Sequence, residues 1–243
     1  MTLDEFLQNT LCNLFDYREN KKVFPPNEDF NFVDYCLTNF KRSRSQVFQD
    51  LFVLYHFREK PYGFFVEFGA TNGFDLSNTY LLEKQFQWIG ILAEPARCWR
   101  EALKRNRGCI IDNRCVWEKS GEQLQFKEVA IPELSTIEVF TEKDRNAPLR
   151  AEGELYPVTT VSLNDLLTEH KAPRIIDYLS IDTEGSELSI LNAFDFDRYD
   201  IRVMTVEHND TEDREKIHDL MVSRGYRRIF AKFSRWDDWY VRG

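Results

Sequence analysis

A glutamate and two glycines at the end of an apolar run are the part of the chain best suited to chemistry. Residues 64–68 read Phe-Phe-Val-Glu-Phe, so Glu67 lies near the end of the run, and Gly69 and Gly73 follow it. The run predicts a buried parallel strand. The glycines allow a tight turn that brings the backbone close to a ligand. A carboxylate beside such a turn suits a ligand with positive charge or hydroxyl groups.

A second apolar run, residues 89–93, leads directly into another carboxylate. Glu94 lies 21 residues after Gly73, which fits the spacing of the acidic residue that binds a ribose diol in dinucleotide-binding folds. S-adenosylmethionine (SAM) combines an ammonium, a sulfonium and a ribose diol, and hydroxyls form charge-assisted hydrogen bonds with a carboxylate. The two runs together favour a methyl-donor site over a site for nucleotide phosphates.

Two later runs also end in acidic residues. Asp182 and Glu184 follow one of them, and Glu207 closes the next and precedes His208. Methyl transfer to a hydroxyl requires removal of the hydroxyl proton. Because the reference pKa of histidine is about 6.5, we expect His208 to be the base, with the three carboxylates beside it as further catalytic residues.

Two alternatives for this acidic group stay open. Asp182, Glu207 and His208 offer ligands for a divalent cation such as Mg²⁺ or Mn²⁺, and a bound cation lowers the pKa of a hydroxyl. The other alternative is a structural cluster paired with neighbouring arginines, namely Arg174, Arg202 or Arg224.

Strand and helix patterns alternate from about residue 45 onward, which predicts a doubly wound α/β sheet, mostly parallel, with helices on both faces. The predicted strands are residues 64–68, 89–93, 109–111, 124–129, 158–161, 175–181, 201–207, 227–233 and 239–241. The predicted helices are residues 46–57, 78–86, 96–106, 163–169, 187–193 and 211–224. Ligands bind beyond the carboxyl ends of strands in such sheets, where the acidic residues lie. The less regular segment 118–155 is predicted to be a hairpin with a surface excursion that borders the site.

Residues 1–44 are predicted to be a helical extension, and residues 45–243 the main domain. Apolar residues between Leu3 and Leu14 share one helical face. A break follows at residues 24–27, and residues 29–40 predict a second short helix.

The composition limits the partners and the compartment. The net charge is −9, so nucleic acid and anionic membranes are repelled. Five scattered cysteines without a CxxC pair argue against a disulfide framework or a zinc ribbon, and they favour the reducing cytoplasm. The first 20 residues lack the basic start of a signal peptide. No apolar run approaches the ~20 residues of a membrane span.

The spacing of the two glycines does not match the motifs of two other kinds of nucleotide-binding site. A P-loop requires GK[ST] after its glycines, and this is absent from the sequence. A nicotinamide site has the spacing G-x-G-x-x-G, whereas Gly69 and Gly73 are spaced G-x-x-x-G. A nicotinamide oxidoreductase is therefore a weak alternative. A binding module that has lost catalysis is a second alternative, which the acidic residues at four strand ends disfavour.

Several motifs in a fixed order resemble the FkbM-type SAM-dependent methyltransferases from about Ser45 to the C-terminus. They are SQVFQD from Ser45, FVEFGATNG from Phe65, SNT from Ser77, Glu83, AEP from Ala93, YLSIDTEGSE from Tyr178, and VEHN from Val206. The resemblance implies a class I methyltransferase fold, SAM as cofactor, and O-methylation of a hydroxyl on a sugar or natural product. Asn72 stands where many relatives carry aspartate.

The same resemblance implies a role for each matching residue. Glu67, Gly69 and Gly73 are expected to hold the methionine end of SAM, and Glu94 the ribose. Asn113, with Cys115 or Val116, is expected to border the adenine. Gln46, Gln49 and Asp50 either close over the cofactor or form an exposed helix face. The predicted cofactor site also includes Ala70, Asn72, Asn78, Pro95 and Asp182.

Overall fold

The first of two compact units contains a short helix. The computed structural model describes residues 27–243, together with Gln8 and Cys12, and the chain divides into Met1–Asn39 and Phe40–Gly243. Helix α1 (Glu28–Asn39) begins after Asn27, whose side-chain oxygen accepts a hydrogen bond from Phe30 N at 2.9 Å. Apart from Gln8 and Cys12, the helix predicted over residues 3–14 lies outside the described residues.

The second unit alternates strands and helices. Its helices are α2 (Gln49–His56), α3 (Tyr80–Phe86), α4 (Arg100–Asn106), α5 (Leu163–Glu169), α6 (Glu187–Ala193) and α7 (Asp213–Ser223). Its strands are β1 (Phe64–Phe68), β2 (Ile89–Ala93), β3 (Ile110–Asp112), β4 (Cys115–Trp117), β5 (Gln123–Val129), β6 (Thr136–Ile137), β7 (Gly153–Ser162), β8 (Ile175–Ile181), β9 (Asp200–Glu207), β10 (Tyr226–Ile229) and β11 (Asp237–Arg242). Among the described residues, no helix has the length and apolar character to cross a membrane.

The larger sheet has seven strands in the order β10-β11-β9-β8-β1-β2-β3. The five strands from β9 to β3 are parallel, and β11 runs antiparallel to both β9 and β10. The chain leaves β1 toward β2 on one side and later returns to β8 on the other, so the strand order reverses at β1. This topology confirms the predicted doubly wound, mostly parallel sheet.

The smaller sheet has the order β4-β7-β5-β6. Strands β5 and β7 form the hairpin predicted for the irregular segment, since they pair antiparallel from Gln123 with Thr159 to Val129 with Gly153. The loop between them, residues 130–152, is the predicted excursion. Strand β7 is longer than predicted, and β4 and β6 were not predicted.

The two faces of the larger sheet pack against different helices. One face forms a core with α5, α6 and α7, in which residues such as Leu179, Ile190 and Met221 are fully buried. On the other face α2 packs against β11, where the Phe52 and Trp239 rings stack with centroids 4.7 Å apart. Because side chains alternate along a strand, neighbouring residues of β1 face different layers.

The second unit includes residues that were predicted to belong to the extension. Ser45 forms an isolated parallel bridge with Leu76. The Arg42 guanidinium donates to Gln85 Oε1 at 3.2 Å and to Glu59 Oε1 at 3.1 Å. Residues 40–44 therefore pack with the main domain.

Candidate functional site

The strand registers bring four loops to one edge of the larger sheet. The end of β1 lies beside the ends of β2 and β8, and the end of β8 lies beside that of β9. The residues at this edge are Gly69, Glu94, Asp182 and Glu207. The prediction that acidic strand ends converge is therefore confirmed for Glu94, Asp182 and Glu207.

A cavity of about 210 Å³ lies at this edge. Its walls come from the loops after β1, β2, β8 and β9, from β5 and the excursion that follows it, from the start of α2 and the residues before it, and from the loop before β11. The lining residues are Gln46, Gln49, Gly69, Thr71, Leu76, Asn78, Glu94, Pro95, Phe126, Pro132, Glu133, Leu134, Ser135, Arg145, Asn146, Asp182, Glu184, Glu207, Asn209 and Trp236.

Glu94 places a buried carboxylate on the cavity wall. One oxygen accepts a hydrogen bond from Thr71 N at 2.9 Å and the other from Ala96 N at 2.8 Å. Burial raises the pKa of Glu94 to about 7, against the two backbone donors. Each oxygen keeps a second lone pair for a ligand hydroxyl.

The close packing around residue 69 leaves room only for a glycine. Its φ is +71°, and a Cβ atom built on it lies 1.8 Å from the backbone oxygen of Asp182. The loops after β1 and β8 therefore touch backbone to backbone, and any side chain at residue 69 separates them. This contact alone accounts for a glycine at residue 69, so the glycine is not by itself evidence of a ligand. The residue nevertheless lines the cavity.

Gly73 lies away from the cavity wall. Its φ is +74°, and a Cβ atom there would meet Arg107 and Leu103 side-chain atoms at 2.6 Å. Residues at the end of helix α4 occupy the space beside it, and its expected role at the methionine end of SAM stays a prediction. The glycine spacing is a packing requirement.

Glu67 also lies away from the cavity, contrary to its expected role. It is the second-last residue of β1, so its side chain points to the α3 face of the sheet. Its carboxylate accepts hydrogen bonds from Ser77 Oγ, Asn78 N and Thr79 Oγ1, and Arg107 Nη1 lies 3.5 Å away. These partners occupy the carboxylate and order the loop that precedes α3.

The same loop presents an unpaired oxygen to the cavity. Asn78 is 6% exposed, and its Nδ2 donates to Ser180 Oγ at 2.9 Å. Its Oδ1 is buried, and no hydrogen-bond partner for it exists among the described residues.

Asn72 instead caps its own turn, because its Oδ1 accepts from Phe74 N and Asp75 N at 2.8 Å. Ala70 is buried and does not line the cavity.

The residues predicted to border adenine lie beside the smaller sheet. Cys115 and Val116 line a second cavity of about 30 Å³. Pro95 and Phe126 line both cavities, so the two spaces adjoin. Asn113 lines neither of them, and its expected contact with the adenine stays a prediction.

Two of the three residues predicted around the start of α2 line the cavity. Gln46 and Gln49 line the cavity, and Gln49 Nε2 donates to Asp237 Oδ2 at 2.6 Å. Asp50 does not line it, because its carboxylate accepts hydrogen bonds from Ser43 Oγ and Ser45 Oγ at 2.6 Å. Asp50 orders the turn at the start of the helix.

Three carboxylates meet at the other end of the cavity. One oxygen from each of Asp182, Glu184 and Glu207 lies within 4.8 Å of the others. Burial and the neighbouring charge of Asp237 raise the pKa of Asp182 to about 8. Burial and the charge of Asp182 raise the pKa of Glu207. Glu207 Oε2 is buried and has no hydrogen-bond partner among the described residues.

Arg150 balances only part of this charge. It is 1% exposed, and its guanidinium contacts Glu184 Oε2, Asp144 Oδ1 at 2.9 Å and Leu134 O at 2.7 Å. Asn209 Nδ2 also donates to Glu184 Oε2, at 3.1 Å. The arginines proposed as structural partners, Arg174, Arg202 and Arg224, make none of these contacts.

His208 is wrongly placed for the base that we expected. Side chains alternate at the end of β9, so Glu207 faces the cavity and His208 points away from it. Its Nδ1 accepts a hydrogen bond from Asp210 N at 3.0 Å, and its Nε2 lies 3.8 Å from Asp238 Oδ1. Burial lowers the pKa of His208. The His208 imidazole is buried and neutral and does not line the cavity. We therefore assign it a packing role.

The excursion and the C-terminal region supply wall residues that were not predicted. Arg145 stacks on the Trp236 ring at 5.3 Å from its centroid, and Asn146 lies beside them on the wall. No local pattern in the sequence marks these residues, because the fold brings them together from distant positions. Four wall residues other than glycine have a positive φ, namely Thr71, Leu76, Glu184 and Asn209. Such backbone strain is typical of functional sites.

The chain is similar to two solved methyltransferases at low identity. A methyltransferase from Pyrococcus furiosus is 12% identical, with a TM-score of 0.39 and coverage of 96% of both chains. Precorrin-6y C5,15-methyltransferase from Geobacter metallireducens GS-15 is 14% identical, with a TM-score of 0.38 and coverage of 74% of this chain and 72% of that chain. No curated protein matches the chain.

The family is shown by a profile match that covers most of the main domain. The profile of the methyltransferase FkbM domain matches residues 67–228, which span β1 to β10. The match contains the strand ends that form the cavity, and the strand order is that of the class I methyltransferase fold. The chain therefore belongs to the FkbM methyltransferase family.

Proposed function

We propose that this protein transfers a methyl group from SAM to a hydroxyl of a carbohydrate or another small natural product. The observation that carries the proposal is the buried Glu94 carboxylate on the wall of a cavity at the switch point of the sheet. Doubly wound sheets bind their ligands at this place. Membership of a methyltransferase family independently supports methyl transfer.

Groups on the cavity wall fit the polar parts of SAM. Glu94 is positioned to accept hydrogen bonds from the ribose hydroxyls, and the unpartnered Asn78 Oδ1 fits the methionine ammonium. Pro95 and Phe126 provide an apolar wall for the adenine next to Glu94. SAM supplies a methyl group that its sulfonium already activates, so the protein must chiefly align the acceptor and exclude water.

The carboxylates at the other end of the cavity are suited to the acceptor. As the acceptor oxygen bonds to the methyl carbon and the sulfur–carbon bond breaks, the hydroxyl proton passes to Asp182 or Glu207. A pKa of about 8 for Asp182 lies close to neutral pH, which favours proton exchange with a substrate near that pH. His208 has no part in this scheme.

The rest of the wall favours a small polar acceptor. Trp236 is half-buried and offers an aromatic face, and Ser135, Arg145 and Asn146 offer hydrogen-bonding groups beside it. This mixture fits the apolar face and the hydroxyl rim of a sugar ring. A nucleic-acid acceptor fits poorly, because the protein has a net charge of −9 and the cavity is acidic.

Calorimetric titration with SAM and with S-adenosylhomocysteine tests the cofactor assignment. We expect Glu94→Gln to weaken binding by roughly 10- to 100-fold, because charge-assisted hydrogen bonds to the ribose are lost. Glu133→Gln is the matched control, since it removes a cavity-wall carboxylate outside the assigned ribose site and should bind as the wild type does. Equal affinity of the folded Glu94→Gln variant and the wild type contradicts the assignment.

Product analysis separates the alternative functions. The proposed enzyme converts a member of a panel of sugars and polyhydroxylated metabolites to its methyl ether, and the mass of the acceptor rises by one methylene. Tight SAM binding without a product across the panel favours a binding module. Binding of NADH in place of SAM favours an oxidoreductase.

We also propose a cytoplasmic location. All five cysteines are described and are free thiols, which suits a reducing compartment. Fractionation of cells that express the tagged protein tests this location.

A further inference from the structure

We propose that Asp182, Glu184 and Glu207 bind a divalent cation, Mg²⁺ or Mn²⁺, at the acceptor end of the cavity. The catalytic role of this cation rests on the proposed function, but its binding can be measured without a methyl acceptor. The ligand set differs from the one that we expected from the sequence, because Glu184 takes the place of His208.

The spacing of the three carboxylates fits a single ion. Their oxygens lie within 4.8 Å of one another. Oxygen ligands lie about 2.0 to 2.1 Å from Mg²⁺, so neighbouring oxygens around one ion are about 3 Å apart and opposite ones about 4 Å apart. One cation can therefore contact all three carboxylates after their side chains move a short distance inward.

An unsatisfied buried atom points into this space. Glu207 is 6% exposed and lines the cavity, and its Oε2 has no hydrogen-bond donor among the described residues. Leaving a buried charged oxygen without a partner is costly. A cation between Glu207 and its neighbours would remove that cost.

The negative charge of the neighbouring carboxylates also favours binding of a cation. Asp182 and Glu207 lie together, with Glu187 and Asp237 close enough to add to the negative field. In the described part of the chain, Arg150 is the basic side chain that contacts the cluster, and it is already shared between Glu184 and Asp144. When the three carboxylates are ionised, Arg150 balances only part of their charge, so a bound cation is needed to hold all three in the ionised form.

The type of ligand restricts the ion and suggests its role. Carboxylate oxygens suit Mg²⁺ and Mn²⁺, whereas zinc sites usually contain cysteine or histidine. Three protein ligands leave coordination positions for water and for an acceptor hydroxyl. A cation at this place lowers the pKa of that hydroxyl, and its proton can pass to a free oxygen of the same carboxylates.

A titration with Mn²⁺ alone tests the site. The loss of the free Mn²⁺ signal in electron paramagnetic resonance measures binding to the full chain. We expect the wild type to bind one Mn²⁺ per chain, and Mg²⁺ to displace it. Asp182→Asn and Glu207→Gln should each weaken binding at least about tenfold, whereas Glu133→Gln, on the same cavity wall, should bind as the wild type does.

The outcomes separate the cation from the proposed function. A wild type that binds no Mn²⁺ at millimolar concentration overturns the inference, and so does a folded Asp182→Asn variant with unchanged affinity. In either case Asp182 and Glu207 must share a proton. S-adenosylhomocysteine binding is measured on the same samples, so a failure of the cofactor assignment is seen separately. If an amide variant does not fold, Asp182→Glu takes its place in the comparison.

Discussion

At the scale of single residues, the partners of a carboxylate decide what it can do. Glu67 and Glu207 are both buried near the end of a central strand. The carboxylate of Glu67 is surrounded by donors from Ser77, Asn78 and Thr79, so it orders a loop. Glu207 keeps an unpaired oxygen on the cavity wall, so it is available to a ligand.

Arg150 allows a residue-scale prediction about stability. Replacement by methionine keeps the apolar stem and removes the charge between Glu184 and Asp144. We expect Arg150→Met to lower the free energy of unfolding by about 3 to 5 kcal/mol, because one partner of a buried ion pair is left uncompensated. Urea denaturation measures the change.

A surface pair supplies the control for this variant. Arg202 contacts Asp200 at 2.9 Å, but its side chain is 45% exposed. Arg202→Met should therefore cost less than about 1 kcal/mol. Similar losses in the two variants would show that Arg150 does not hold the excursion to the loop after β8.

The direction of these side chains was not readable from the sequence. The acidic residues at the strand ends were predicted correctly as a group, because apolar runs and spacing predict where parallel strands end. Both strands end where they were predicted to end, but neighbouring side chains face opposite sides of the sheet. The sequence does not show which side opens on the cavity, so it did not reveal that Glu67 and His208 are absent from the cavity wall.

At the scale of elements, the loops after β1 and β8 form one unit held by close backbone contact. Gly69 has no room for a Cβ, since that atom would lie 1.8 Å from Asp182 O. Gly69 and Asp182 therefore position the two halves of the cavity relative to each other. A change at residue 69 must affect both cofactor binding and the acidic end.

Replacing Gly69 by alanine tests this coupling. Gly121 is the matched control, because its φ of +83° is similar and nothing lies within 4 Å of a Cβ there. Gly121→Ala should cost about 1 kcal/mol from backbone strain alone. Gly69→Ala should cost clearly more and should also weaken SAM binding and Mn²⁺ binding. Equal melting temperatures for the two variants contradict the contact.

Elements with a local signal were predicted well, and those that depend on distant partners were not. Strands β1, β2 and β8 and helices α5 and α6 have the predicted bounds, since their apolar patterns are long and end in clear breaks. The two-residue strand β6 is defined only by pairing with β5. Likewise β4 is defined by pairing with β7, some 40 residues away in sequence.

At the scale of the whole molecule, a group of buried acidic residues lies at the carboxyl edge of the sheet. Burial raises the pKa of Glu94 and of Asp237 to about 7 and that of Asp182 to about 8. Burial therefore keeps these groups protonated up to about neutral pH, where an ordinary carboxyl group is ionised. A cationic ligand in the cavity, such as SAM or a divalent cation, would favour their ionised forms.

This arrangement predicts how the stability of the ligand-free protein depends on pH. A carboxyl group with a raised pKa binds its proton more tightly in the folded state than in the unfolded state. Its contribution to stability is fully present below the ordinary pKa of about 4 and is lost as the pH rises through 7. We therefore expect the melting temperature to fall between pH 5 and pH 8.

Asp237→Asn should flatten this profile. Asp237 accepts a hydrogen bond from Gln49 Nε2 at 2.6 Å, and an amide oxygen can still accept it. One pKa unit corresponds to about 1.4 kcal/mol, so the wild type should lose on the order of 2 to 4 kcal/mol across this interval relative to the variant. Calorimetry from pH 5 to pH 8 measures both slopes. Saturating S-adenosylhomocysteine should stabilise the wild type more at pH 8 than at pH 5, because Glu94, with a pKa of about 7, forms charge-assisted hydrogen bonds to the ribose only when it is ionised. A variant slope equal to that of the wild type would mean that Asp237 is already ionised at pH 5, and the acidic edge would then have to be balanced by protons on other carboxyl groups.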